Sequence, residues 1–150
     1  MTIKIVESHF EPWQEVQIYQ NAQAALTDKA GAAAVFVGTM RDFNAGHTVS
    51  GMRLEYYPGM TEKQLEKVIS QANTQWQMLD CLLIHRVGDI LPHEAIVLVA
   101  VWSFHRGDAL DACRYLIDSL KTQAPFWKKE RIGDSACWVA GNTKGYYAIE

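Results

Sequence analysis

The chain has 150 residues, 49% of them hydrophobic, and its 14 Lys and Arg against 17 Asp and Glu leave a formal charge of −3. That length favours one domain, the composition is globular rather than disordered, and slight acidity argues against broad nucleic-acid binding, which needs a basic face. No apolar run approaches the ~20 residues that cross a bilayer; the longest, "AIVLVAVW" (95–102), has the length of a strand. The N-terminus carries acids where a secretory signal needs an apolar stretch, so no targeting segment is expected. Cys81, Cys113 and Cys137 show no CxxC spacing, and an odd count without a signal fits reduced thiols and a cytoplasmic location. Five histidines are present, but no Cys/His pair has zinc spacing, so no metal site is expected.

In chain order, "IKIV" (3–6) reads as a strand, and "PWQEVQIYQNAQAALTD" (12–28) reads as one helix opened by Pro12. "GAAAVFVGTMR" (31–41) is an apolar strand running to about Arg41, followed by the polar loop "DFNAGHTVS" (42–50). In "GMRLEYY" (51–57), Met52, Leu54 and Tyr56 face one way and Arg53, Glu55 and Tyr57 the other. After the Pro58-Gly59 break, Thr61 is expected to cap a helix with an apolar stripe of Leu65, Val68, Ile69, Ala72 and Trp76. "CLLIHRVG" (81–88) and "EAIVLVAVWS" (94–103) are strands, the second expected to be central. "DALDACRYLIDSLK" (108–121) is a helix with Asp108 at its N-cap and a stripe of Leu110, Cys113, Leu116, Ile117 and Leu120; Pro125 ends it near Lys121 or Thr122. "ACWVA" (136–140) is a last short strand, and the glycine-rich tail "GNTKGYYAIE" (141–150) reads as loose until it docks. Paired strands between helices give an α+β fold with a mixed or antiparallel sheet.

The chemistry concentrates near residue 121. In "DSLKTQAPFWKKE" (118–130), Lys121 ends a helix, where a lysine also simply complements the helix dipole. Pro125 turns the chain back, Phe126 and Trp127 are expected to bury, and Lys128 returns towards Lys121. Two ammonium groups held close on an apolar wall lower the pKa of one of them, which makes an amine into a base or a nucleophile. His105 and Arg106, between the central strand and the last helix, offer proton exchange and a planar anion fork, and Arg41 is a third cation placed to converge there. The pair in "IHRVG" (84–88) reads as structural, and Cys113, on the apolar face of its helix, as core. On the residues alone, a solvated charge run stands against a pocket for a small anion.

Four blocks, "VGTMRDFN", "LEYYPGM", the "HR" after an apolar strand and "LK" followed by "PFWKKE", resemble in order and spacing the large, catalytic subunit of molybdopterin synthase, over about residues 32–138. The resemblance implies an α/β-hammerhead fold and conversion of cyclic pyranopterin monophosphate to molybdopterin. The dithiolene sulfur would come from the C-terminal Gly-Gly thiocarboxylate of a small ubiquitin-like partner. It further implies a heterotetramer around a dimer of large subunits, with no metal and no cofactor. Its substrate-binding positions fall on Thr39, Met40, Arg41, His105, Arg106, Lys121, Lys128, Lys129 and Glu130, with Lys121 and Lys128 catalytic. Met40 in place of valine, Leu110 in place of an aromatic and His93 in place of glycine depart from that pattern without touching a charged site position. The alternatives are a non-enzymatic adaptor for a ubiquitin-like tail and a lysine-dependent enzyme acting on another small phosphorylated substrate.

Overall fold

The structure is a computed structural model that describes residues 1–44 and 46–139; the expectation for the 141–150 tail lies outside the described residues. In chain order the elements are β1 (Thr2–Val6), α1 (Pro12–Asn21), α2 (Ala24–Lys29), β2 (Ala32–Thr39), β3 (Phe43–Asn44), β4 (His47–Thr48), β5 (Gly51–Tyr56), α3 (Met60–Gln75), β6 (Met78–Arg86), β7 (Gly88–Ile90), β8 (Ala95–Ser103), α4 (Arg106–Gln123), β9 (Phe126–Ile132) and β10 (Ser135–Trp138). The fold is α+β and hammerhead-like. A main sheet, in the order β1-β6-β8-β2, pairs β1 parallel to β6 and is otherwise antiparallel. A second, antiparallel sheet runs β10-β9-β5-β7.

The apolar runs alternate with period two, so β6 and β8 feed a core on each face of the main sheet. Cys81, Leu83, Val97, Val99 and Val101 meet the inward faces of α3 (Leu65, Val68, Ile69, Ala72) and α4 (Ala109, Ala112, Leu116, Leu120). Leu82, Ile84, Leu98, Ala100 and Trp102 meet Phe10, Val16, Tyr19 and Leu26 on the other side. Each fully buried leucine contributes about 1.5–3 kcal/mol. A third, smaller core of Met40, Val49, Met52, Leu54 and Ile90 lies under the second sheet.

Several local expectations change. The helix expected over 12–28 is two helices, because Gln23 is extended between them; no Pro or Gly announces the break, and packing of Leu26 overrides local propensity. The loop expected at 42–50 contains the β3–β4 hairpin. Gly59, not Thr61, caps α3, with the Glu62 carboxylate accepting from the Gly59 N–H. Thr61 is instead buried; its Oγ1 accepts from Tyr57 N and donates to Pro125 O, which ties the start of α3 to the α4–β9 connection. His105, not Asp108, is the N-cap of α4. Leu110 is 60% exposed, and Ala109 and Ala112 take the inward positions.

A candidate anion site at the meeting of the two sheets

Where the second sheet meets the end of the main one, a cavity of about 230 Å³ opens. Its floor is apolar, from Phe36, Met52, Leu54, Ile96, Val97, Leu120 and Phe126; Thr39, Arg41, His85, Lys121, Lys128 and Glu130 supply its polar groups. Three local features aim those side chains. A register shift between Gly38 and Thr39, opposite Val97 and Ala95, breaks the β2–β8 ladder where the chain enters the site, and such bulges re-aim side chains. A side chain at Gly38 would meet Val97 Cγ1 at 2.8 Å, so the wall is close-packed there. The last turn of α4 delivers Lys121 and Ala124.

The third feature is β9. "FWKKERI" is a strand rather than the expected turn, and alternation sorts its residues. Phe126, Lys128 and Glu130 line the cavity, opposite Tyr56, Leu54 and Met52 of β5. Trp127 and Lys129 take the other face. Trp127 is 47% exposed rather than buried, and Lys129 Nζ lies 5.3 Å from the centre of the Trp138 ring, away from the cavity lining.

The charges inside are uneven. Glu130 is buried; it accepts from Lys128 Nζ at 2.8 Å, and its two oxygens accept from Asn44 Nδ2 at 3.1 and 3.0 Å. Burial alone would raise its pKa, but the bonds from Lys128 and Asn44 and the charges of Lys128 and Arg41 carry it below the ordinary carboxylate value. Burial first, and the like charge of Lys128 second, hold the Lys121 amine below the usual lysine range. Arg41, over the Phe43 ring at 5.1 Å, adds a cation at the rim. Three basic side chains, one of them the Lys121 amine with its lowered pKa, and one carboxylate on an apolar floor make a candidate site for a small anion.

Of the positions singled out in the sequence, Thr39, Met40, Arg41, Lys121, Lys128 and Glu130 line this cavity, and Lys129 does not. His105 and Arg106 are exposed at the opposite end of α4. Arg106 is fifteen residues from Lys121 along that helix, a rise of roughly 22 Å, so a single chain does not bring them together. The residue missed is His85. Its ring lines the cavity, stacked on Phe126 with centroids 3.9 Å apart and planes at 12°. Its position two residues after Leu83 and four after Cys81, on the strand face that α4 covers, was the available signal. Arg86 is structural as expected, paired to Glu94 at 2.9 Å and donating to Asp89 O.

Two of the three thiols are buried in the core, and Cys137 is exposed on β10. Burial pushes the Cys81 thiol up to about 12 and that of Cys113 to about 11. Among the described residues no group of three or more His, Cys, Asp and Glu is placed to hold a metal, and no helix is long and apolar enough to cross a membrane.

The fold and the cavity thus define an α+β protein with a lysine-bearing candidate site where its two sheets meet. Residues 10–123 match the model of the MoaE protein family, and the chain belongs to that family. It is 46% identical over 150 residues to the molybdopterin synthase catalytic subunit of Pseudomonas aeruginosa, covering 100% of this chain and 97% of that one. It is 48% identical over 138 residues to the protein of the same name in Ralstonia nicotianae, covering 92% of this chain and 76% of that one. A solved structure described as the molybdopterin biosynthesis MoaE protein from Burkholderia ambifaria superposes with a TM-score of 0.77 at 44% identity, covering 95% and 90% of the two chains.

Proposed function

We propose that this chain is the catalytic subunit of a molybdopterin synthase. It acts as a sulfurtransferase that turns cyclic pyranopterin monophosphate into molybdopterin. The two dithiolene sulfurs come one at a time from the C-terminal thiocarboxylates of two copies of a small ubiquitin-like partner, and water supplies the oxygen that leaves each spent tail as a carboxylate. The single observation that carries this reading is the pairing of Lys121 and Lys128 on an apolar floor, with Lys121 held below the usual lysine range.

Both reactants are anions, a cyclic phosphate and a thiocarboxylate, and a cavity with surplus positive charge favours each. Lys121, whose amine burial holds below the usual lysine range, would assist attack or move a proton near the thiocarboxylate carbon. Lys128 and Arg41 stabilise negative charge as it develops next to the pterin. Glu130 holds Lys128 in place, and Thr39 and Met40 line the cavity at the end of β2. His105 and Arg106 enter the site only if a second copy of the chain supplies them, as the homodimer core implied by the family resemblance allows. Lys129 has no part in this assignment.

The test is a single-turnover reaction of this chain with a thiocarboxylated partner and the cyclic precursor, with product followed by mass spectrometry. Wild type is expected to give dithiolene product and Lys121→Ala to lose at least about a hundredfold in rate, the scale of a lost acid–base group. Binding of the partner's tail without product from the wild type would favour the adaptor reading. Equal product from both chains would remove Lys121 from the mechanism.

A further inference from the structure

Asn44 stands outside the cavity lining and has no task in the scheme above, yet it bonds the carboxylate inside that cavity. Its Nδ2 lies 3.1 Å from Glu130 Oε1 and 3.0 Å from Oε2. A carboxylate only accepts, so the amide must present its NH₂ group to Glu130. Lys128 Nζ donates to Oε1 at 2.8 Å, and Asn44 is the donor to Oε2. Glu130 is 5% exposed, and a buried carboxylate is costly unless its oxygens are bonded. The last torsion of a glutamate is broad, so a single bond from Lys128 would leave the carboxylate free to swing. The two contacts from Asn44 fix its plane.

Asn44 also sits on the segment that carries Arg41. That segment leaves the main sheet at Met40, whose N–H donates to Glu94 O at 2.9 Å, and is tied again at Ser50, whose N–H donates to Arg131 O at 3.1 Å. Between those ties, Asn44 on β3 reaches Glu130 on β9, 86 residues away in sequence. Arg41, three residues before Asn44, lies over the Phe43 ring and lines the cavity. We propose that Asn44 is a positioning residue for anion binding: through Glu130 it holds Lys128, and along its own segment it holds Arg41, so that both cations serve one bound cyclic phosphate. The choice of residue has a chemical consequence. A lysine or arginine at this position would satisfy the carboxylate but take it from Lys128, and an aspartate would repel it. A neutral amide donor completes the carboxylate and leaves its pairing with Lys128 intact.

The choice of ligand, cyclic pyranopterin monophosphate, rests on the synthase reading; the carboxyl titration below does not. The charged and titratable groups that share the cavity with Glu130 are Lys128 on β9, Arg41 beyond β2, Lys121 on α4 and His85 on β6. Cys137 is its register partner on β10, and His47 is the register partner of Asn44 on β4. All are present in wild type and variant alike, so the ratio of two affinities at one pH isolates position 44. Asn44→Asp is almost isosteric but sets a second carboxylate against Glu130. One of such a pair takes up a proton more readily than a lone carboxyl, and the protonated form is again a donor. By calorimetry on the whole chain, this variant is expected to bind the cyclic precursor about tenfold more weakly than wild type at about pH 8, and within about threefold of it at about pH 5. Asn44→Ala, with nothing to titrate, is expected to lose about fivefold at both. No loss in Asn44→Asp, or a loss equal at the two pH values, overturns the proposal. Asn44→Ala combined with Glu130→Met, which has no acceptor, is expected to lose no more than the weaker-binding single variant; losses that add would reduce Asn44 to a staple of its hairpin. If Asn44→Asp fails to fold at about pH 8, that comparison decides. Without ligand, the Glu130 carboxyl carbon titrated by NMR is expected to show a higher midpoint in Asn44→Ala than in wild type, because one of the bonds that offset burial is gone. An unmoved midpoint overturns the proposal whatever the chain binds. Failure of the wild type to bind the cyclic precursor would count against the synthase reading and leave the titration standing.

Discussion

Replacing Glu130 by glutamine tests the electrostatic design of the cavity without changing its shape. The carboxylate accepts from Lys128 at 2.8 Å and twice from Asn44. Glutamine keeps one oxygen but turns an amide NH₂ towards donors that can no longer be accepted. A charge-assisted bond contributes about 1.5–3 kcal/mol. Lys128 is 34% exposed, so water compensates part of the loss and about 1–2 kcal/mol remains. For a chain of this size that lowers Tm by about 3–6 °C. The sign with pH follows from the lowered pKa, in which burial opposes and Lys128, Asn44 and Arg41 prevail. The carboxylate's contribution is fully present above the unfolded value of ~4.3 and is lost as pH falls through the lower folded value. Calorimetry of both chains between about pH 7 and pH 3 should show a gap that is steady down to about pH 5 and closes below about pH 4. A gap unchanged at the acid end, or none at neutral pH, would refute the claim that the Glu130 charge holds Lys128.

Two further outcomes follow from the depressed pKa of Lys121. Lys128→Gln removes the second of its two causes, the like charge, and leaves burial; the acid limb of the pH–rate profile should move to higher pH even as the maximal rate drops, and an unmoved limb would detach that limb from Lys121. Lys121→Met removes a cation that burial penalises, a cost that is full below the folded pKa and fades as pH rises towards the unfolded value of ~10.4. The variant should therefore be inactive yet melt about 2–4 °C higher at pH 7, with the difference shrinking in alkaline buffer; a lower melting temperature at pH 7 would show that Lys121 stabilises the fold.

The sheet core was legible because "CLLIHR" and "AIVLVAVWS" hold unbroken apolar runs of strand length, the mark of strands buried on both faces. Lys121 was legible from its place at a helix end before Pro125. The rest depends on contacts far apart in sequence. "PFWKKERI" looks like an aromatic turn until β5 is there to pair with it, and only that pairing sends Lys128 and Glu130 inward and Trp127 and Lys129 outward. The caps of α3 and α4 were misplaced because Thr61 and Asp108 have the right chemistry, two and three residues beyond the positions where the backbone turns. His85 was passed over because the ring it stacks on, Phe126, arrives 41 residues later in the chain.

The apolar floor of the cavity has two effects on Lys121 and its neighbours, and both come from the same residues. By excluding water, Phe126, Leu120 and Met52 make an ammonium costly, so Lys121 titrates low. By the same exclusion they strengthen the attraction of Lys128 and Arg41 for an incoming anion. A more polar wall would relax the first effect and weaken the second, whereas an extra carboxylate would neutralise the cavity and return Lys121 to its ordinary value. The strand-period placement of Glu130 beside Lys128 meets both constraints. Its one negative charge is bonded to Lys128, the lysine that only needs to stay charged, and not to the lysine that must change charge.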